Sequence, residues 1–128
     1  MKLIEQYINK IQVDEQWNDG KEEDYIGVDL DATLAFYESG NFRNDVIGNI
    51  IPEMKEKVLK EIASGTKIKI FTARAHNPNA IPYIKKWLME NGLGDLEVTN
   101  VKTPGMREIW DDRAKQVIPN TGKFLGEE

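Results

Sequence analysis

The chain contains no cysteine among its 128 residues. This absence excludes disulfide bonds and metal sites built from thiolates. A long apolar run is also missing, because the N-terminal stretch MKLIEQYINKIQVDEQW interleaves charged residues with apolar ones. That stretch therefore predicts neither a signal peptide nor a membrane span. We expect a cytoplasmic protein.

Positive charge is scarce, with 17 Lys and Arg residues against 22 Asp and Glu residues and a formal net charge of -5. Nonspecific attraction to nucleic acid or to an anionic membrane needs a basic face. We therefore expect no membrane partner, and the acidic balance disfavours a large polyanion. The length fits one domain, large enough to bury about two-thirds of the surface that the unfolded chain exposes.

Apolar periodicity divides this domain, residues 1–128, into an N-terminal helical extension, residues 1–24, and a core, residues 25–128. In the core, Pro52 and Gly65 bracket a predicted helix, and a second one runs from Ile81 to near Gly92. Short apolar runs predict strands, in chain order YIGVDL, TKIKIF, LEVTNV, REIW and QVIP.

Alternation of strands and helices is typical of an α/β fold, here a small doubly wound, mostly parallel sheet. The segment "ESGNFRNDVIGN" predicts an irregular loop or hairpin. The connection from Val101 to Ile109 is too short for a helical crossover of about a dozen residues. One of the last strands is therefore expected to be antiparallel or only a loop.

Polar side chains follow the predicted strands: Asp29 and Asp31, Thr72, Lys102, and the pair Asp111 and Asp112. The carboxyl ends of parallel strands meet at one edge, so these residues should converge there. Carboxylates gathered so closely repel one another unless a cation compensates them. Mg²⁺ prefers such oxygen ligands and fills its remaining positions with water and phosphate oxygens. A hydroxyl and an ammonium group would complete a phosphate site.

The ordered motifs DLDAT, FTAR, VTNVK and WDDRA carry a resemblance to a known family. Over residues 25–122 the chain resembles the haloacid dehalogenase superfamily of phosphatases, in its small capless form, similar to the phosphatase domains of polynucleotide kinases. An ordered set of this kind is far more specific than any single motif. The chain departs from the family pattern at Ala32, where glycine is usual, and in the helix that precedes the first motif.

The resemblance implies a reaction in two displacements. Asp29 would attack phosphorus and form an aspartyl-phosphate, while Asp31 would protonate the leaving alcohol and then activate water. Thr72 and Lys102 would hold the phosphoryl oxygens, with Lys115 as a competing lysine. We therefore expect a Mg²⁺-dependent phosphomonoester hydrolase.

The family pattern also implies binding roles. The Asp29 carboxylate, the Asp31 backbone carbonyl and Asp111 would bind the metal, and Asp112 would lie beside them or bind through water. The remaining candidates are Thr33 and Arg74 for substrate, Arg74 and Arg113 as residues that contact phosphate or stabilise the acidic loops, and His76 as a solvent-exposed residue.

The expected substrate is a small phosphorylated molecule of the nucleotide or sugar phosphate class. No separate cap domain fits between the motifs, so residues 36–51 would form only a flap. Selectivity would come from aromatic and cationic residues near the cleft, namely Phe36, Tyr37, Phe42, Arg43, Arg74 and His76.

Two alternatives stay open: a catalytically degenerate binding or regulatory module of the same fold, and a phosphatase acting on nucleic-acid 3' ends. A phosphorylation-receiver domain fails, because its acceptor aspartate should end the third strand, and TKIKIF is followed by Thr72.

Overall fold

The computed structural model describes residues 23–38 and 43–127. These residues contain an open, parallel, four-stranded sheet with the order β3-β2-β1-β4. The strands are β1 (Tyr25–Val28), β2 (Lys67–Phe71), β3 (Glu97–Thr99) and β4 (Met106–Trp110). The α/β class is therefore confirmed. The predicted N-terminal helix lies outside the described residues.

Two α-helices connect the first three strands, α1 (Pro52–Ala63) and α2 (Ile81–Glu90). Proline occupies the first turn of each helix, where the missing backbone N–H costs no hydrogen bond. Gly65 follows α1 with a φ of 91°, a left-handed conformation that glycine adopts readily and that ends a helix. Both predicted helices are thus present, with ends within two residues of the expected ones.

The core lies on one face of the sheet. Ile26, Val28 and Ile70 are fully buried there and belong to one apolar cluster with residues of α1 and α2. The chain steps in one direction from β1 to β2 to β3, and right-handed crossovers place both helices on the same side. The described residues thus carry one helical layer, and the second layer of a doubly wound fold stays a prediction.

The short connection after Val101 led us to expect an antiparallel strand or a loop. This expectation is wrong for β4, which pairs with β1 in parallel. The connecting residues 100–105 run without a helix past the face opposite the core, where the Tyr25 hydroxyl lies 2.9 Å from Thr103 Oγ1. The Tyr25 N–H donates to the Gly105 carbonyl at 2.9 Å. The minimum length of a dozen residues applies to a helical crossover, and an extended segment needs fewer residues to cross the sheet.

The predicted strand QVIP is also wrong. Val117 forms only an isolated bridge with Phe124, and Val117 is half exposed. In the part of the chain that the structure describes, this segment pairs with no strand of the sheet. The Lys115 ammonium lies 3.9 Å from the centre of the Phe124 ring. Among the described residues, no helix has the length and apolar character needed to cross a membrane.

We call residues 36–51 the edge segment, of which the structure describes 36–38 and 43–51. The Phe36 N–H donates to the Asn49 carbonyl at 2.8 Å, and Arg43 and Val46 form a bridge across a turn. The Trp87 indole N–H donates to the Gly48 carbonyl at 3.0 Å. A Cβ atom on Gly48 would overlap the Phe36 carbonyl oxygen. This segment is thus a closely packed loop whose tip is partly described.

Candidate active site

A cleft of about 650 Å³ opens at the carboxyl edge of the sheet. A polar residue that follows each strand lines it: Asp29 and Asp31 after β1, Thr72 after β2, Asn100 after β3 and Asp111 after β4. Side chains far apart in the chain thus share one cavity, which is where the parallel topology predicts a site.

A tight turn after β1 presents the two aspartates to the cleft. The Leu30 carbonyl accepts hydrogen bonds from the N–H groups of Leu34 and Ala35, at 2.9 and 2.8 Å. Ala32, inside this turn, has a φ of 68°. A residue with a Cβ atom is strained in this conformation by about 1–2 kcal/mol, which explains why glycine suits the position.

Three carboxylates gather at one side of the cleft. Asp29, Asp111 and Asp112 each offer an oxygen atom within 4.8 Å of the others. Burial, then the Asp111 charge, then a hydrogen bond with Asp112 raise the pKa of Asp29 to about 7. Such a group favours a cation with oxygen ligands. Of the four aspartates predicted to bind metal, Asp31 is the one whose carboxylate is not in this cluster.

Thr33 connects the turn after β1 to the loop after β4. Its side chain is 8% exposed, and its hydroxyl lies 3.4 Å from Asp29 Oδ2 and 3.2 Å from Asp112 Oδ1. The Asp112 N–H donates to the same hydroxyl at 3.1 Å. Thr33 therefore lies behind the carboxylates and is not among the residues that line the cleft, so this geometry favours support of the acidic cluster over the predicted contact with substrate.

Arg74 is 2% exposed, and its guanidinium group donates hydrogen bonds to one carboxylate and to two backbone carbonyls. Nε donates to Asp31 Oδ2 at 2.8 Å, and Nη2 donates to Asp31 Oδ1 at 2.7 Å. Nη1 donates to the carbonyls of Arg43 and Val46, at 2.6 and 2.8 Å. Arg74 is not among the residues lining the cleft. The arrangement fits the predicted stabilising role better than the predicted substrate contact.

Thr72 is buried at the end of β2 and lines the cleft. Its hydroxyl oxygen accepts a hydrogen bond from the Arg74 N–H at 3.2 Å and so caps the short 3₁₀ helix Ala73–His76. A hydroxyl keeps one hydrogen to donate while it accepts. The position therefore fits a donor to a phosphoryl oxygen.

Lys102 is exposed and is not among the residues that line the cleft. The strand was predicted to run to Val101, whereas β3 ends at Thr99. The Val101 N–H then donates to Thr99 Oγ1 at 3.0 Å, in a local turn. Asn100 is consequently the residue at the sheet edge, and the sequence analysis missed it. Its signal was present, since it is the first polar residue after the true end of the strand.

Arg113 is exposed and is the one Lys or Arg residue among the described residues that line the cleft. Its backbone N–H donates to Asp111 Oδ1 at 2.7 Å. Tyr37 and the exposed His76 line the cleft as well. Tyr37 also borders a smaller depression of about 300 Å³ with Phe36, which is 59% exposed. Of the predicted selectivity residues, Phe42 lies outside the described residues.

Comparison of this chain with protein-family models, with curated proteins and with solved structures gives no match.

Proposed function

We propose that the protein is a Mg²⁺-dependent phosphomonoester hydrolase of the capless haloacid dehalogenase type, acting in the cytoplasm through an aspartyl-phosphate. One observation carries the proposal: the carboxylates of Asp29, Asp111 and Asp112 cluster, and Asp29 and Asp111 line one cleft together with Thr72. These groups come from the ends of separate strands. A cluster of carboxylates with a hydroxyl beside it is a chemical complement to a divalent cation and a phosphate.

The donor set fits Mg²⁺. The groups that would hold the ion are the carboxylates of Asp29 and Asp111, the Asp31 backbone carbonyl and, directly or through water, Asp112. Burial, and next the Asp111 charge, raises the pKa of Asp29 to about 7, so a positive charge beside this carboxylate is favourable. Bound Mg²⁺ supplies that charge and offsets the negative charge of the phosphate.

In the proposed reaction, an Asp29 carboxylate oxygen forms a bond to phosphorus while the bond from phosphorus to the leaving oxygen breaks. Asp31 gives its proton to that oxygen, so an alcohol departs. Asp31 then takes a proton from water, whose oxygen attacks phosphorus and breaks the aspartyl-phosphate bond. The Thr72 hydroxyl donates to a phosphoryl oxygen, and Arg113 or Lys102 supplies a cation.

The proposed substrate is a small phosphorylated molecule. Aromatic side chains at the cleft, Tyr37 and the neighbouring Phe36, offer flat apolar surface to a leaving group such as a nucleoside. The alternative with a nucleic-acid 3' end remains disfavoured by the formal net charge of -5.

The test is a screen for phosphate release from nucleotides, sugar phosphates, a small aryl phosphate and 3'-phosphorylated oligonucleotides, with Mg²⁺ or with excess chelator. Asp29→Asn should abolish turnover because the amide keeps the shape of the nucleophile and loses its reactivity. The matched control is Asp95→Asn, an 83% exposed carboxylate that does not line the cleft.

Turnover in excess chelator, or turnover by Asp29→Asn at the wild-type rate, would refute the proposal. Mg²⁺ binding in calorimetry without phosphate release from any substrate would favour the alternative of a degenerate binding module.

A further inference from the structure

We propose that Arg74 is a positioning residue that holds the Asp31 carboxylate in place for proton transfer to the leaving group. The inference rests on the proposed function, because it assigns Arg74 a task in the same reaction. Its basis is the set of four hydrogen bonds from one buried guanidinium group to Asp31 and to the turn at residues 43–46.

The contact with Asp31 is bidentate. Two guanidinium nitrogens meet the two carboxylate oxygens at 2.8 and 2.7 Å. A planar pair of this kind fixes the distance and also the plane of the carboxylate, which a single contact with an ammonium group does not. Asp31 is 16% exposed, so one side of the carboxylate still borders the cleft.

The other two contacts explain why Arg74 itself stays in place. The third nitrogen donates to two backbone carbonyls of the edge segment, those of Arg43 and Val46. A buried guanidinium group without such partners would be strongly unfavourable. Asp31 and this turn of the edge segment are therefore held by one group, and displacement of either one breaks charge-assisted hydrogen bonds.

Proton transfer to the leaving group matters unequally among substrates. An alkoxide is a poor leaving group and needs the proton, whereas a nitrophenolate is stable as an anion and hardly needs it. Displacement of the Asp31 carboxylate should therefore slow the hydrolysis of alkyl esters much more than the hydrolysis of nitrophenyl esters. A general loss of folding or of phosphate binding would slow both alike.

The experiment compares turnover of glycerol phosphate and 4-nitrophenyl phosphate by the full chain with Mg²⁺. In Arg74→Lys, an ammonium group cannot meet both carboxylate oxygens and both carbonyls. We expect turnover of the alkyl ester to fall about a hundredfold and that of the aryl ester by less than about tenfold, within the range of general acid catalysis. Thermal unfolding establishes that the variant is folded.

The matched control is Trp87→Phe, which removes the hydrogen bond to Gly48 in the same edge segment and leaves the hydrogen bonds between Arg74 and Asp31 in place. This variant should change the turnover of both substrates by the same factor. A second control places Arg74→Lys in an Asp31→Asn background. Because the proton donor is already absent there, the ratio of alkyl to aryl turnover should not change further.

Equal losses on the two esters in Arg74→Lys, or a further change of the ratio in the Asp31→Asn background, would overturn the inference and leave the proposed function standing. If Arg74→Lys does not fold, Arg74→Gln is measured by the same ratio. Failure of the wild-type protein to release phosphate from these two esters and from every substrate of the screen above would overturn the proposed function itself, and this inference with it.

Discussion

The metal-free protein should become less stable as the pH rises, and replacing Asp111 with asparagine should weaken that dependence. The pKa of Asp29 rises from 3.8 to about 7 on folding, mainly through burial and next through the Asp111 charge. A difference of this size corresponds to at most about 4 kcal/mol. Because Asp29 is only partly buried, solvent screening reduces the expected effect to roughly 1–2 kcal/mol.

The direction follows from proton linkage. Between pH 4 and pH 7 the folded chain holds a proton on Asp29 that the unfolded chain has released, so rising pH favours unfolding. The contribution of Asp29 to the free energy of unfolding is fully present below about pH 4, the ordinary range of the aspartate pKa. It is lost as the pH rises through about 7. Asp111→Asn removes one cause of the raised pKa and leaves burial, so the loss should shrink but persist.

Urea unfolding at pH 5 and pH 8, with chelator or with Mg²⁺, measures these effects. The wild type should gain more stability from Mg²⁺ at pH 8, where no proton competes for Asp29, and Asp111→Asn should gain little at either pH. The control is Asp95→Asn, in an exposed pair with Lys85. If metal-free Asp111→Asn showed the full wild-type pH dependence, the electrostatic account of the cluster would be refuted.

The remaining predictions concern two backbone positions and the cation beside the phosphate. Ala32→Gly should stabilise the protein by about 1 kcal/mol in urea unfolding, because glycine relieves the strain at a φ of 68°; a loss of stability would contradict this. Gly48→Ala should destabilise it by at least about 2 kcal/mol, because the added Cβ overlaps a neighbouring carbonyl, and an unchanged midpoint would show that the loop can move. Arg113→Ala should lower phosphate release by roughly a hundredfold, as expected for loss of one electrostatic donor. Lys102→Ala should lower phosphate release less than Arg113→Ala does, because the exposed Lys102 does not line the cleft. Lys115→Ala should match the wild type, because its ammonium lies over Phe124. A larger loss in Lys115→Ala than in Arg113→Ala would reassign the cation.

Local chemistry explains what the sequence predicted well. Pro52 and Gly65 act through their own backbone preferences, so the helix between them could be placed without tertiary information. The end of β3 could not be placed in this way. Thr99 and Val101 are both β-branched and suit a strand, and the hydrogen bond from the Val101 N–H to the Thr99 hydroxyl ends it instead.

At the cleft, too, some features could be predicted from the sequence and others could not. Convergence of Asp29 with Asp111 follows from parallel topology alone, and both line the cavity. The partners of Arg74 do not follow from any sequence pattern, because the Asp31 carboxylate is 43 residues away and the two carbonyls belong to an irregular loop. The sequence therefore predicted the cleft residues that follow β1, β2 and β4, whereas it missed Asn100 after β3 and left the contacts of Arg74 unresolved.

Pairing of β4 with β1 joins segments that are distant in the chain, and this has a consequence for folding. Thr33 and Asp112, which meet through that pairing, are 79 residues apart. Closing a loop of that length costs about 4 kcal/mol of chain entropy beyond a constant. Such contacts tend to form late, so β4 should dock after the local units of strand and helix. Two members of the carboxylate cluster follow β4, and the proposed cation site would therefore be complete only at that final step. Mg²⁺ should then act mainly on the unfolding rate and leave the folding rate nearly unchanged.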